Sequence, residues 1–352
     1  MKSIKFVQNG KGEVEPSAIR STQGLTLFNA NGDVNSTSTG YQIAIDTLTY
    51  IKKQITEQKF YKVAPADFVP ICVGDGAFKQ NILTNLSFSN SEDFESGNIQ
   101  SGASGSRLAS VDASVASKSA KVVNWAKQKS YSIFDIEQAL QANNWDAVYA
   151  KERARKTNWD LGIQEIAFIG SRSDPAVTGL LNNPNVTINT SLITAPISGL
   201  SAANFATFVQ TLISTYFTAT NSTQMPTHFV LPYTDFLGLQ TLTPGTVGTY
   251  PLPQIDYLLM AFKAATRNPN FKIEPLAYCE KANNLTRINV GTGKQVYALY
   301  NKDDETLRMD IPVDYTSTNP NSTNNFQFND VAYGQYTGVS VLRNLEVLYF
   351  QY

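Results

Sequence analysis

From Trp145 to Ile169 the chain runs roughly 25 residues without a proline, which as α-helix would span about 37 Å at 1.5 Å per residue. Ala147, Ala150, Ala154, Leu161, Glu165 and Phe168 trace a narrow apolar face along it, while Lys151, Arg153, Arg155 and Lys156 fall mostly elsewhere. A long helix with so narrow a stripe packs on a sheet along one side and leaves the other side to solvent or partners. Trp145 and Trp159 project within roughly 40° of each other, so at least one is expected to anchor on that sheet. The run closes on Phe168-Ile169-Gly170, and Gly179-Leu180-Leu181-Asn182-Asn183-Pro184 follows. Ahead of it, Ser132-Ile133-Phe134-Asp135 reads as a serine-capped helix start with an acidic first turn, and Asn143-Asn144 as a break and second cap.

The remaining segments are extended or amphipathic. Residues 1–40 carry Asn9-Gly10, Asn31-Gly32 and a Ser/Thr/Asn run, too little apolar surface to fold alone. Ile43, Thr47, Ile51 and Ile55 mark a short amphipathic helix, and Phe68 to Val73 a strand. Between Ala77 and Trp125 a long, polar, weakly alternating pattern broken at Ser101-Gly102-Ala103-Ser104-Gly105-Ser106 predicts an extended hairpin. Such a hairpin has no core of its own and must lie on something, either another subunit or the surface of its own domain. Helices are expected from Ser201 to Ala219, after Pro232 and from Gln254 to Ala265. Strands are expected at Met225–Pro232, Phe271–Glu274, Ile288–Val290, Gln295–Tyr300, Thr306–Ile311 and, as one closing strand, Thr337–Tyr349.

The long helix ending at Gly170, the Gly-Leu-Leu-Asn-Asn-Pro run and this element order resemble bacteriophage major capsid proteins of the HK97 type, whose fold also builds encapsulin shells. The resemblance implies an α+β fold with an N-terminal arm (1–66), an extended E-loop hairpin (67–126), a P-domain with its spine helix (127–225), an A-domain (226–305) and a return to the P-domain (306–352). It implies a wall subunit that joins its own copies in hexamers and pentamers of an icosahedral virion shell around double-stranded DNA, without sequence-specific binding. Portal, scaffolding or decoration proteins are implied as further partners, and an encapsulin-type nanocompartment is the alternative. Phe94, Ile99, Arg107 and Leu108 in the hairpin and Arg153 and Arg155 on the spine helix are the candidate intersubunit contacts. Some members join a lysine to an asparagine in the mature shell. Lys79, Lys118 and Asn344 would be the pieces here, too common to name catalytic residues.

Residues able to do chemistry are sparse. The only histidine, His228, lies in an apolar strand and reads as a core residue. No His or Cys cluster has transition-metal spacing, Gly291-Thr292-Gly293-Lys294 lacks the residues of a phosphate loop, and Asp303-Asp304-Glu305 lacks the spacing of a calcium loop. No catalytic residue, cofactor or metal is therefore expected. A net charge of -1 argues against a dedicated nucleic-acid binder. The basic cluster from Lys151 to Lys156 contains Glu152 and reads as a solvated face or an intersubunit ion-pair row. Two cysteines suggest a reducing compartment, and no apolar run approaches a bilayer span or a signal-peptide core. The expectation is a soluble protein made in the host bacterial cytoplasm.

Overall fold

The computed structural model describes residues 58–88, 113–141, 147–241, 253–284, 293–322, 324 and 326–352, together with strands β1 (Phe6–Gln8) and β2 (Val14–Pro16). The chain forms two compact units, Met1–Phe60 and Tyr61–Tyr352. In the first, β1 and β2 pair antiparallel. The second opens with α1 (Pro65–Phe68), β3 (Ile71–Val73), β4 (Gln80–Phe88) and β5 (Ala113–Ser132). At the end of β5 the Asp135 amide donates to Ser132 Oγ at 3.2 Å and the Ser132 amide to Asp135 Oδ2 at 3.0 Å. This reciprocal capping box ends the strand and starts α2 (Ile133–Gln141), which precedes the spine helix α3 (Ala147–Ile169).

After α3 come β6 (Thr187–Asn189), α4 (Ala202–Ala219), β7 (His228–Pro232), α5 (Tyr233–Gln240), α6 (Gln254–Thr266) and β8 (Lys272–Leu276). Ser201 caps α4 as expected, its Oγ accepting from the Asn204 amide. The chain closes with β9 (Val296–Tyr300), β10 (Leu307–Ile311), β11 (Val313–Ser317), β12 (Asn321–Ser322), β13 (Gln327–Thr337), β14 (Val339–Val341) and β15 (Val347–Gln351).

One mixed sheet, in the order β6-β15-β9-β7-β8, separates two apolar cores. Because side chains alternate along a strand, Val347 and Tyr349 of β15 and Val296, Ala298 and Tyr300 of β9 enter the core that holds α3, while Leu348, Phe350, Tyr297 and Leu299 enter the other. Burial on both faces is why β9, and β7 and β15 apart from their end residues His228 and Gln351, read as apolar runs. The spine-side core packs Phe68 edge-on to Phe168, ring centroids 5.2 Å apart. On the far side, α4, α5 and α6 cover the sheet with Phe205, Leu212, Leu239 and Phe262, and Phe262 stacks on Phe271 at 4.4 Å.

A second sheet has the order β11-β13-β5-β4, with β12 added to β13, and a third the order β14-β10-β3. β5 serves twice in the second sheet. Its first half pairs with β4, Phe88↔Ala113 to Gln80↔Lys121, and its second half with β13, Thr337↔Val122 to Gln327↔Ser132. The hairpin expected between Ala77 and Trp125 is present in its described part, and its second strand runs on to Ser132.

Three expectations need correction. The buried residues of α3 are Arg155, Trp159, Ile163, Gln164, Ala167, Phe168 and Ile169, whereas Ala154 is exposed. A polar residue can occupy the stripe because the sheet beneath it supplies a counter-charge. The expected closing strand is broken into β14 and β15 by a 3-10 turn at Asn344–Glu346, and the two pieces join different sheets. Strands β6, β11, β12 and β13 were not expected; in β13, Asp330 and Gly334 interrupt the alternation that marks a strand. The expected strand Ile288–Val290 and the helix near Ile43 to Ile55 lie outside the described residues.

Candidate assembly site

For a chain expected to build a wall, the site is the framework that aims the hairpin and the surfaces that frame it. Trp159 anchors the spine helix on the second sheet, its ring 5.0 Å from Trp125 of β5 and 6.1 Å from Tyr336 of β13. Gly334 of β13 makes room for it, since a Cβ there would lie 2.5 Å from the indole. Trp145 lies outside the described residues.

One turn before Trp159, Arg155 enters the same interface. Its guanidinium meets Asp330 Oδ1 at 2.6 Å and Glu152 Oε2 at 2.5 Å, and donates to Tyr315 Oη at 3.0 Å and Ser317 Oγ at 2.8 Å. Lys129 of β5 bridges the same two carboxylates at 3.0 and 3.1 Å, and Tyr315 donates to Glu152 at 2.6 Å. Two cations and two anions thus tie α3 to β5, β11 and β13. The side chains of Arg155 and Asp330 are 4% and 5% exposed, so the hub is interior. Burial pushes the Glu152 carboxyl up, but hydrogen bonds from Tyr315 and Lys129 and the charges of Lys129 and Arg155 hold it below the usual range. Burial and the bond to Glu152 push the Tyr315 hydroxyl up to about 12.

The C-terminal end of α3 is closed by the glycine-bearing run after it. A helix leaves its last carbonyls without intrahelical donors. Here Leu180 donates to Ala167 O at 2.8 Å, Leu181 to Phe168 O at 2.9 Å, and Asn182 Nδ2 to Ile169 O at 2.6 Å, while Asn182 Oδ1 accepts from the Gly179 amide at 2.7 Å. Gly170 turns the chain with φ +67°, the left-handed conformation that ends many helices. The Tyr349 hydroxyl of β15 donates to Leu180 O, which fastens this knot to the central sheet.

Three contacts fix the base of the hairpin. Asn81 Nδ2 donates to Asp310 Oδ2 at 2.5 Å, Lys118 Nζ donates to Val341 O at 2.6 Å, and Lys121 pairs with Asp174 at 2.5 Å. Burial pulls the Lys118 ammonium below its ordinary value. Ile82, between these anchors, is 62% exposed, and Val115, farther along, is 65% exposed.

Of the candidate contact residues, Arg153 is exposed on α3. Arg155 is not on that face. Its charge is answered inside the subunit by Asp330 and Glu152, which corrects the reading of the Lys151 to Lys156 cluster as a wholly solvated or intersubunit row. Phe94, Ile99, Arg107 and Leu108 lie outside the described residues. Asp330, Lys129 and Tyr315 were missed from sequence. The spacing Glu152-x-x-Arg155 was the one local signal, and it gives no hint of Lys129, 23 residues before Glu152, or of Tyr315 and Asp330, 160 and 175 residues beyond Arg155.

His228 is buried. Its Nδ1 is 2.9 Å from Thr227 Oγ1 and its ring stacks on Tyr300, while Nε2 has no hydrogen-bond partner among the described residues. Burial, with the charges of Lys302 and Lys272, lowers its pKa from 6.5 to about 4. The unfolded chain therefore takes up a proton first as pH falls, and stability present at pH 7 should decline between pH 6.5 and 4, by up to about 3 kcal/mol from this group. His228→Gln should flatten that part of the urea-midpoint profile. An unchanged acid slope would show that other groups carry it.

Among the described residues no group of three His, Cys, Asp or Glu is placed to hold a metal, and no helix is long and apolar enough to cross a membrane. Residues 97–352 match the family model described as major capsid protein. The chain belongs to the major capsid protein family. It is a structural protein and not an enzyme, with an HK97-type fold. The capsid of Myoviridae phage XM1 superposes with TM-score 0.69 at 14% identity, covering 87% of this chain and 97% of that one. A chain from Gordonia phage Cozz gives 0.53 at 10% identity, with 92% and 96% covered. The SrpI encapsulin of Synechococcus elongatus PCC 7942 reaches only 0.47 at 10% identity, with 88% and 94% covered. No curated protein matches the chain.

Proposed function

We propose that this capsid subunit assembles into hexamers and pentamers that close an icosahedral bacteriophage head around double-stranded DNA. The carrying observation is the pairing of the family match over residues 97–352 with a hairpin anchored at its base that exposes Ile82 among the anchors and Val115 beyond them. An anchored arm with exposed apolar residues and no core is stabilised by lying on a neighbour. In this reading residues 1–66 are the N-terminal arm, 67–126 the E-loop, 127–225 the P-domain, 226–305 the A-domain and 306–352 the return to the P-domain. Phe94, Ile99, Arg107, Leu108 and Arg153 contribute contacts between copies. With a net charge of -1 the wall encloses DNA without a dedicated binding patch. Synthesis in the host bacterial cytoplasm and association with portal, scaffolding or decoration proteins belong to the same proposal.

Deleting Glu92 to Ser106 should leave a subunit with unchanged circular dichroism that forms no closed shells in negative-stain micrographs. Shells of normal yield from the deletion would overturn the role given to the hairpin. Small shells filled with protein, from the intact chain, would replace the phage-head reading by the encapsulin one.

A further inference from the structure

The last carbonyls of α1 are held by two residues at the end of β9. Lys302 Nζ donates to Ala66 O and Asp67 O, both at 2.7 Å, and Tyr300 Oη donates to Phe68 O at 2.9 Å. A one-turn helix leaves these carbonyls without donors of its own, so the two side chains dock it on the central sheet. His228 is linked to both. Its ring stacks on Tyr300 with centroids 5.6 Å apart, and its Nδ1 lies 2.9 Å from Thr227 Oγ1, which also accepts from the Lys302 amide at 2.7 Å. The surroundings suit a neutral ring. His228 is 7% exposed, and neither its Nε2 nor Glu274 Oε2, on the same face of the adjacent strand, has a hydrogen-bond partner among the described residues. The ammonium groups of Lys272 and Lys302 act on both His228 and Glu274, and Asp67 of α1 acts on Glu274. Tyr300 and Cys279 also border the cluster, and burial raises both of them, so they stay neutral.

We propose that His228 gates the docking of α1: a proton taken up by its ring loosens the hold of Lys302 on the α1 carbonyls, and acid thereby frees the segment by which the chain enters the second unit. A protonated ring would be a third cation beside two ammonium groups, one of them the group that grips α1, and its Nε2–H would have no acceptor. Burial and the two lysines hold the ring below its ordinary value while α1 is docked. The undocked form therefore takes up the proton first as pH falls, and docking present at pH 7 weakens between pH 6.5 and about 4. Glu274 acts in the opposite sense, because burial raises its carboxyl and acid neutralises it first in the docked form.

The amides of Asp67 and Val69, which donate to Ala64 O and Pro65 O within α1, report the docking. Their hydrogen exchange in the full-length protein, corrected for its intrinsic pH dependence, is compared between the parent and His228→Gln at about pH 7 and about pH 5. The parent-to-variant ratio of rates should grow on acidification by up to about twentyfold, the limit set by a ring shifted from 6.5 to about 4. Glu274 is present in both proteins and cancels from the ratio. A ratio constant to within about twofold would overturn the gate. Where His228→Gln does not fold, Lys302→Met decides. Loss of this ammonium should speed exchange at Asp67 and Val69 already at pH 7 and raise the titration midpoint of His228, whose ring signals are unambiguous in NMR because the chain has one histidine. An unmoved midpoint would show that Lys302 and His228 do not act on each other, and the proposal would fail.

Discussion

Gly179→Ala should remove nearly all folded, soluble subunit. An added Cβ at this position would lie 2.5 Å from Gly170 N and from Phe168 C, and 2.6 Å from Ile169 N. All three are backbone atoms of the last turn of the spine helix, so no side-chain rotation relieves the clash. Moving residue 179 away would withdraw the donors of Leu180, Leu181 and Asn182 from Ala167, Phe168 and Ile169, whose carbonyls are buried with them. Overpacking together with unpaired carbonyls costs about 3 kcal/mol or more, a large share of the stability of an ordinary domain. Gly162→Ala is the control. Nothing lies within 4 Å of its added Cβ, and an alanine inside a helix gains up to about 1 kcal/mol over glycine. Soluble yield and urea midpoints of the two variants should move in opposite directions. A normal midpoint for Gly179→Ala would show that the knot is not as tight as described.

Arg155→Glu should cost roughly 3–5 kcal/mol, because it leaves the buried Asp330, and the part-exposed Glu152 beside it, against a like charge instead of a cation. Arg153→Glu, two residues away on the exposed side of the same helix, should change stability by about 0.5 kcal/mol or less. Replacing both together would therefore confound folding with assembly. The cleaner probe of the outer face is Arg153→Glu by itself, read by particle yield after its urea midpoint has been matched to the parent. Equal midpoints for the two single variants would mean that the hub contributes no stability and that the Arg155 side chain is better described as solvated.

Those two sites also mark the boundary of what sequence could decide. The spine helix, the serine caps at Ser132 and Ser201, and the buried strands β7 and β9 were legible because their signals are local: a period of 3.6 residues, a hydroxyl placed before a helical run, and an apolar stretch too short for a helix. The resemblance to HK97-type capsid proteins rested on the long helix ending at Gly170, the run from Gly179 to Pro184 and the element order, and the structure supplies the physical meaning of that run as the cap of the spine helix.

Tertiary structure alone decided which face of the spine helix is buried, because a charged stripe becomes a core stripe only when Asp330 and Lys129 arrive from strands distant in sequence. It decided that Gln327–Thr337 is a strand, since Asp330 and Gly334 fit there only opposite Arg155 and Trp159. It also split the closing segment between two sheets, β14 against β10 and β15 against β9. Side-chain period assigns a residue to helix or strand, but the partner that neutralises a buried charge or fills the space above a glycine is a property of the packed chain.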